Sequence, residues 1–276
     1  QNEEDLNKIQ EAWNLYSNLD IFLREKQYRL LTSNTIGLSL VGDKRNHPFN
    51  PTKGSYTSIN LDSWNVFMAQ PVIAGVARYF RFNFAHYQYI PITPTTSAAL
   101  KFHAGSIFLF DTANSYVPLE RQFFAGGANS VRGWSSRMLR YSHNKSTSSG
   151  STDADYYLRY FVGNSSIIEL SAELRFRLRR PKWANATIAD QISNIGVTVF
   201  ADAGNAFDWF AEMEHYHKNN FTDYFTKLAV AGGFGLRYDT PVGPIRLDLA
   251  WPIYDPLKEK PPFSNLTLHF GIGHSF

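Results

Sequence analysis

Residues 168–178, which read IELSAELRFRL, alternate strictly between apolar and polar side chains. Successive side chains of a β-strand point to opposite faces of the sheet, so this alternation predicts a strand with one apolar and one charged face. The residues of the polar face are Glu169, Ser171, Glu173, Arg175 and Arg177. Charged groups are costly to bury without partners, so this face must meet water or opposite charges. A strand of this kind is typical of the wall of a transmembrane β-barrel.

Eight further segments carry the same period of two and predict eight more strands. They lie near residues 30–41, 55–67, 78–88, 98–108, 196–204, 228–238, 245–251 and 266–276. Segments rich in Pro, Gly and Asn predict turns at 50–54, 91–94, 241–244 and 261–262. Consecutive strands joined by turns favour a meander, in which each strand pairs with its neighbours in sequence. The sequence therefore predicts an all-β fold, an antiparallel up-and-down transmembrane β-barrel with about nine or ten strands.

The strand count bears on the domain organisation. Single-chain bacterial barrels normally have an even number of strands, so a count of nine leaves one strand unread or missing. Residues 8–22 could supply a tenth strand; alternatively, the chain is the C-terminal part of a larger barrel. Residues 1–25 form an unplaced N-terminal segment, and the barrel region is expected to span 26–276, with long connections at 111–164 and 206–226. The first residues, QNEED, do not resemble a signal peptide, which indicates that a signal has been removed or that the chain is a fragment.

Composition argues against several other classes of protein. The mean hydropathy is only -0.30, and no apolar run approaches the roughly 20 residues that a membrane-spanning helix needs. Phe, Tyr and Trp make up 16% of the chain, which fits the aromatic girdles of a barrel. A net charge of +3 without a basic run does not favour nucleic acid as a partner. There is no cysteine, and no motif points to catalysis, so we expect no enzyme activity, no cofactor and no metal site.

The long connection at 111–164 contains the segment QFFAGGANSVRGW at residues 122–134. Gly126 and Gly127 allow close backbone approach, and Arg132 carries a planar guanidinium with several donors. One interpretation is a surface loop with a solvated arginine. The other is an arginine that folds into the barrel lumen, where Glu173 and Asp202 lie on the polar faces of their strands and could both pair with it.

Residues 124–127 (FAGG) through 131–134 (VRGW) resemble the inward-folded loop of the BamA/TamA superfamily, the POTRA-plus-barrel family of outer-membrane protein assembly factors. Further segments follow in the family's order: AELRF at 172–176, FADAGN at 200–205, GLRY at 235–238, PVGPIR at 241–246 and a terminal strand that ends in Phe276. The segment PTKG at 51–54 resembles a periplasmic turn of the family, so the likeness extends from about residue 30 to residue 276.

The resemblance implies a role for each of these motifs. Arg132 would dock inside the barrel with Glu173 and Asp202 as its acidic contacts, and Phe276 would belong to the C-terminal signal of barrel proteins. The loop motif consists of Gly126, Gly127, Val131, Arg132, Gly133 and Trp134. The last strand would form half of a seam that opens laterally, where an incoming strand can pair with an exposed edge.

The function implied by the resemblance is the folding and insertion of β-barrel proteins into the bacterial outer membrane. The partners would be the lipid bilayer, unfolded outer-membrane proteins and periplasmic or lipoprotein accessory subunits. Two alternatives stay open. One is a two-partner secretion-type protein translocation pore, and the other is a plain outer-membrane porin, which would not need the loop motif.

The chain departs from the family in two respects. Family members carry POTRA domains before a sixteen-stranded barrel, whereas this chain has no room for POTRA domains and too few strands. We therefore expect it to be the C-terminal part of such a barrel. In addition, residues 135–140 (SSRMLR) lack the glycine-proline pair often seen in the family, which leaves the loop conformation after Trp134 open.

Overall fold

The computed structural model describes residues 35–64, 78–110, 117, 119–141, 163–181, 183, 185–207, 223–241, 243–257, 262–264 and 266–273. Within these ranges the chain forms nine β-strands and little helix. The strands are β1 (Thr35–Asp43), β2 (Gly54–Trp64), β3 (Tyr79–Thr93), β4 (Thr96–Leu109), β5 (Ser166–Arg177), β6 (Ile195–Phe207), β7 (Ala229–Tyr238), β8 (Ile245–Tyr254) and β9 (Thr267–Ile272). Each of the nine predicted strands overlaps one of them, which confirms the all-β prediction.

All nine strands form one antiparallel sheet in which every strand pairs with its neighbours in sequence. The predicted up-and-down meander is therefore confirmed for the described residues. Four connections lie at one end of this sheet, which we call the turn end: residues 44–53, 94–95, 178–194 and 239–244. The long connection between β4 and β5 enters from the opposite end.

The predicted turn at 91–94 is shorter in the structure because β3 continues through Thr93. Pro91 still lies opposite Ser97, and the register shifts between Pro91 and Thr93. Proline has no backbone N–H for the ladder, and a bulge is one of the places where a strand tolerates it. The turn itself consists of residues 94–95.

The sheet has one exposed apolar face and one covered polar face. Leu174 on β5, Val199 on β6 and Phe234 on β7 lie side by side and are 36%, 51% and 46% exposed. The charged side chains between them, such as Glu173 and Asp202, are buried on the other face. A continuous exposed apolar band fits contact with lipid rather than water.

The hydrophobic core lies on the covered face and is built partly from the β4–β5 loop. Val131, Trp134 and Leu139 of this loop pack with strand residues such as Tyr79 and Ile107. The described part of the connection at 111–164 therefore folds against the inner face of the sheet.

Two short helices occupy connections. Helix α1 (Ala186–Ser193) joins β5 to β6, and the side chain of Asn185 caps it by accepting a hydrogen bond from the backbone N of Ile188 at 2.9 Å. Helix α2 (Asp223–Thr226) precedes β7. Neither helix was predicted, although an Asn before a helical segment is a typical N-cap. No helix in the described part of the chain combines the length and apolarity needed to cross a membrane.

Several predicted features lie outside the described residues. They are the segment 1–25 with its candidate strand at 8–22, the strand residues 30–34, 65–67 and 274–275, residues 111–116, 118 and 142–162 of the predicted connection 111–164, residues 208–222 of the predicted connection 206–226, and Phe276.

We expect Val199→Arg to destabilise the protein in a lipid bilayer by about 2–4 kcal/mol, because its side chain lies on the exposed apolar face of the sheet. The free energy of unfolding can be measured by urea titration in phospholipid vesicles. Ile188→Arg is the matched control, since Ile188 is 47% exposed on helix α1, outside the strands. Equal losses of stability in the two variants would contradict the assignment of this face to lipid.

Candidate functional site

Arg132 lies on the inner face of the sheet and has no exposed surface. It comes from the loop between β4 and β5, and its guanidinium lies close to carboxylates from three strands: Glu173 on β5, Asp202 on β6 and Asp248 on β8. A buried charge requires partners of this kind, because burial removes its hydration.

Asp202 makes the most extensive contact with the arginine. Its Oδ2 accepts hydrogen bonds from Nε of Arg132 at 2.7 Å and from the backbone N of Arg132 at 3.1 Å, while its Oδ1 accepts one from Nη2 at 2.9 Å. Ser171 donates a further bond to Oδ1 at 2.6 Å and orients the carboxylate. This two-oxygen geometry matches the planar guanidinium and cannot be reproduced by a lysine.

Glu173 links the arginine to a second cation. Its Oε1 accepts a hydrogen bond from Nη1 of Arg132 at 2.6 Å, and its Oε2 accepts one from Nε of Arg175 at 2.9 Å. Burial alone would lower the pKa of Arg132, but the carboxylates of Asp202 and Glu173 outweigh that effect and raise the pKa. The guanidinium therefore stays charged.

Two groups around Arg132 were missed by the sequence analysis. Oδ2 of Asp248 lies 3.5 Å from Nη1, and the guanidinium carbon lies 3.5 Å from the centroid of the Phe200 ring, a cation–π contact. The alternation of side chains could have indicated both residues. Asp248 lies on the polar face of β8, and Phe200 is an aromatic residue on the polar face of β6.

The glycines of the loop motif allow the backbone to reach this position. Gly126 and Gly127 have φ angles of 93° and 106°, a region that strongly favours glycine. A Cβ on Gly133 would lie 2.9 Å from the Cβ of Ala231 and 3.2 Å from the backbone N of Pro252. The loop therefore packs directly on β7 and β8.

Val131 and Trp134 flank the arginine and its glycine in the core, where they are 0% and 4% exposed. The carbonyl of Trp134 accepts a hydrogen bond from the backbone N of Gly127 at 3.0 Å, which closes the loop on itself. The structure thus brings all six residues of the predicted loop motif together, with Glu173 and Asp202 beside them.

Two further cations bind the tip of the loop, residues 128–130. Nζ of Lys101 on β4 donates a hydrogen bond to the carbonyl of Asn129 at 2.8 Å, and Nη1 of Arg246 on β8 donates one to the carbonyl of Ala128 at 2.9 Å. The sequence analysis missed both contacts. Both cations lie on the polar faces of their strands, which the alternation predicts. Which loop carbonyls they reach depends on the loop conformation, which the alternation does not predict.

Glu169 completes the contacts at the loop tip. Its carboxylate lies 3.0 Å from Nζ of Lys101 and 2.9 Å from Nδ1 of His103, and it accepts a hydrogen bond from the hydroxyl of Ser130. The same hydroxyl accepts a bond from the backbone N of Gly126 at 2.8 Å. The acid therefore fixes the loop to β4 and β5.

These contacts hold a loop in one orientation and leave the acids of the site bound to cations. In the ranges that the structure describes, no group of three or more His, Cys, Asp or Glu side chains is arranged to hold a metal ion. The arrangement supports docking of the loop.

The whole chain matches one known protein family, since the Omp85 superfamily domain covers residues 1–276. The chain belongs to the Omp85 superfamily. This membership confirms the resemblance found in the sequence and the predicted location in the bacterial outer membrane.

Two BamA proteins are similar to this Omp85 chain. It is 23% identical over 243 residues to the outer membrane protein assembly factor BamA of Neisseria meningitidis serogroup B, a match that covers 82% of this chain and 26% of the relative. The crystal structure of BamA from Haemophilus ducreyi lacking POTRA domains 1-3 matches with a TM-score of 0.59 and 18% identity, over 87% of this chain and 42% of that one. The Omp85 chain thus spans about a quarter of the length of the curated relative, and the structural match shows a shared fold.

We expect Arg132→Ala to destabilise the docked loop by about 3–5 kcal/mol, because the buried carboxylates lose their central partner. Limited proteolysis should then cut residues 119–141 faster than in the unaltered protein. Arg137→Ala is the matched control, since Arg137 lies in the same loop, is exposed and contacts the Phe124 ring at 4.5 Å. If both variants are cut at the same rate, Arg132 does not anchor the loop.

We expect Gly126→Ala to destabilise the protein by about 1–3 kcal/mol, because alanine is strained at a φ of 93°. The added Cβ would also lie 2.7 Å from the carbonyl oxygen of Ser135. Gly42→Ala is the control, since a Cβ there has nothing within 4 Å. Denaturant unfolding of both variants measures the difference, and similar midpoints would argue against a strained turn at Gly126.

Proposed function

We propose that this chain is the C-terminal part of the barrel of an outer-membrane protein assembly factor, which folds and inserts β-barrel proteins into the bacterial outer membrane. Membership in the Omp85 superfamily supports a role in the assembly or translocation of outer-membrane proteins. The curated relative at 23% identity is named an outer membrane protein assembly factor. At the level of residues, the loop anchored by Arg132 carries the proposal.

The anchored loop lies against the last strand of the described sheet. The hydroxyl of Thr267 on β9 donates a hydrogen bond to the carbonyl of Gly133, the residue after Arg132, at 3.3 Å. Strands β8 and β9 pair over only six residues, whereas β5 and β6 pair over twelve. The loop is thus fixed beneath β9, the described strand with the shortest pairing, and this supports a strand that can shift at a seam on its second edge without disturbing the rest of the wall.

The second edge of β9 is the proposed site of action. In the described part of the chain, β9 pairs with β8 alone, so its other edge offers backbone donors and acceptors to a new strand. We propose that a strand of an unfolded outer-membrane protein pairs with this edge by β-augmentation. Leu268 and Phe270, which are 61% and 66% exposed, would face the bilayer beside the incoming strand.

This process makes and breaks hydrogen bonds without covalent chemistry, so the proposed function is not enzymatic and uses no cofactor. Its proposed partners are the lipid bilayer, unfolded outer-membrane proteins and periplasmic or lipoprotein accessory subunits. Phe276 is proposed to belong to the C-terminal signal, and it lies outside the described residues.

Reconstitution of the full-length protein into phospholipid vesicles tests the proposal, with an unfolded outer-membrane β-barrel protein as the substrate. We expect the substrate to enter the bilayer and become a protease-resistant species whose gel migration changes on heating. Soluble substrate inside the vesicles would instead indicate a secretion-type pore. Solute permeability without any effect on the substrate would indicate a porin, and either result would overturn the proposal.

The same assay tests the role of the loop. We expect Arg132→Ala to slow substrate insertion, because the loop no longer supports the β8–β9 edge, and Arg137→Ala to leave the rate unchanged. Proteolysis and gel migration of the two variants should be compared first, so that a folded wall is established in both. Normal insertion by folded Arg132→Ala protein would rule out a contribution of the anchored loop.

A further inference from the structure

A cavity of about 270 Å³ lies at the turn end of the sheet, on the side of Glu173 away from the loop tip. The connections 44–53 and 94–95 and the ends of strands β3 to β7 enclose it. Its polar lining includes Thr52, Ser97, Arg175, Arg177, Thr198 and Arg237. Sites for drug-sized ligands begin at about 300 Å³, so this cavity suits a smaller group.

Arg237 lines the cavity with hydrogen-bonding capacity to spare. It is 5% exposed, and its Nη1 donates to the carbonyl of Leu236 at 3.2 Å and to Asp248. Its Nε and Nη2 donate no hydrogen bond to any group in the described ranges. The nearest other acid is Glu173, whose Oε1 lies 3.9 Å from Nη2 and already accepts a bond from Arg132 at 2.6 Å.

Thr198 of β6 lines the same cavity and is 1% exposed. Its hydroxyl has no hydrogen-bond partner among the described residues. Buried polar groups are nearly always satisfied by protein, water or a bound ion, so two such groups on lining residues of one cavity point to an acceptor that the cavity holds.

The lining of the cavity is rich in guanidinium donors. Arg175, Arg177 and Arg237 all line it, and each contacts one acid: Glu173, Asp239 and Asp248, respectively, of which Asp239 alone lines the described part of the cavity. Asp239 is already bound by Arg177 and by Nδ2 of Asn50, the latter at 2.7 Å. The cavity therefore combines guanidinium and hydroxyl donors, which is the chemistry that recognises phosphate groups.

We propose that this cavity binds a phosphate-type oxyanion, which accepts hydrogen bonds from Arg237 and Thr198. Two sources carry that chemistry: free inorganic phosphate and the phosphate of a lipid headgroup. The inference does not rest on the proposed assembly function. It concerns a site distinct from the loop anchor, although Glu173 and Arg175 connect the two.

Titration calorimetry of the full-length protein in a maltoside detergent tests the site with two probes. The first is inorganic phosphate, compared with chloride at equal ionic strength. The second is a short-chain phosphatidylglycerol, compared with a short-chain diacylglycerol that lacks the phosphate. Saturable binding of the first probe identifies free phosphate as the ligand, and binding of the second probe alone identifies a lipid headgroup.

Thr198→Val and Arg237→Gln remove the proposed donors, and Arg180→Gln removes an exposed arginine at the same end of the sheet. We expect Thr198→Val to weaken phosphate binding by about tenfold or more, as for the loss of one hydrogen bond to a charged ligand. Arg180→Gln should bind as the unaltered protein does. Thr198→Val replaces a hydroxyl that has no hydrogen-bond partner in the described part of the chain by a methyl group, so its unfolding without ligand should be unchanged.

Two results would overturn the proposal. One is the absence of saturable binding of either probe by the unaltered protein. The other is equal affinity in the unaltered protein, Thr198→Val and Arg237→Gln, which would place the anion elsewhere on the surface.

Discussion

The buried positive charge of Arg132 constrains both the loop that carries it and the strands beneath it. Its guanidinium has no exposed surface, so carboxylates and hydrogen bonds must replace the lost hydration. Asp202, Glu173 and Asp248 supply them from three different strands. A slip of one residue in any of these strands would turn its carboxylate to the lipid face. Loop docking and strand register are therefore coupled through one side chain.

The same requirement explains the chemistry of the inner face around the arginine. A buried loop carries backbone groups that need partners, and the cations Lys101 and Arg246 provide them for two carbonyls of the loop tip. Small residues give the loop room, as where Gly133 packs on Ala231. The loop is fixed in position and orientation by two kinds of contact. Carboxylates of the strands bind the loop cation, and cations of the strands bind the loop carbonyls. The outer face takes no part in this and remains apolar.

The sequence predicted the strands well because a period of two depends on local chemistry alone. It also suggested Arg132 with Glu173 and Asp202, through the polar faces and a family resemblance. Asp248 was missed, since no local pattern states which non-adjacent strands approach one loop. Helix α1 was missed because its eight residues lie between strongly patterned strands. The contacts to loop carbonyls depend on positive φ angles and close packing, which alternation does not report.

The distribution of contacts across the sheet separates a fixed part from a part that is easier to open. Strands β8 and β9 share six residue pairs, fewer than any other adjacent strands in the described sheet. Separating them removes these pairs, the bond from Thr267 to Gly133 and the bond from the backbone N of Gly273 to the carbonyl of Pro244 at 2.7 Å, but leaves the ion pairs of Arg132 with Glu173, Asp202 and Asp248 in place. Local opening starts where the fewest contacts are lost, so the β8–β9 pair is the least costly place to open. Within the described sheet β9 is therefore the strand that moves most easily, and its second edge, beside the anchored loop, is the physical basis of the proposed assembly function.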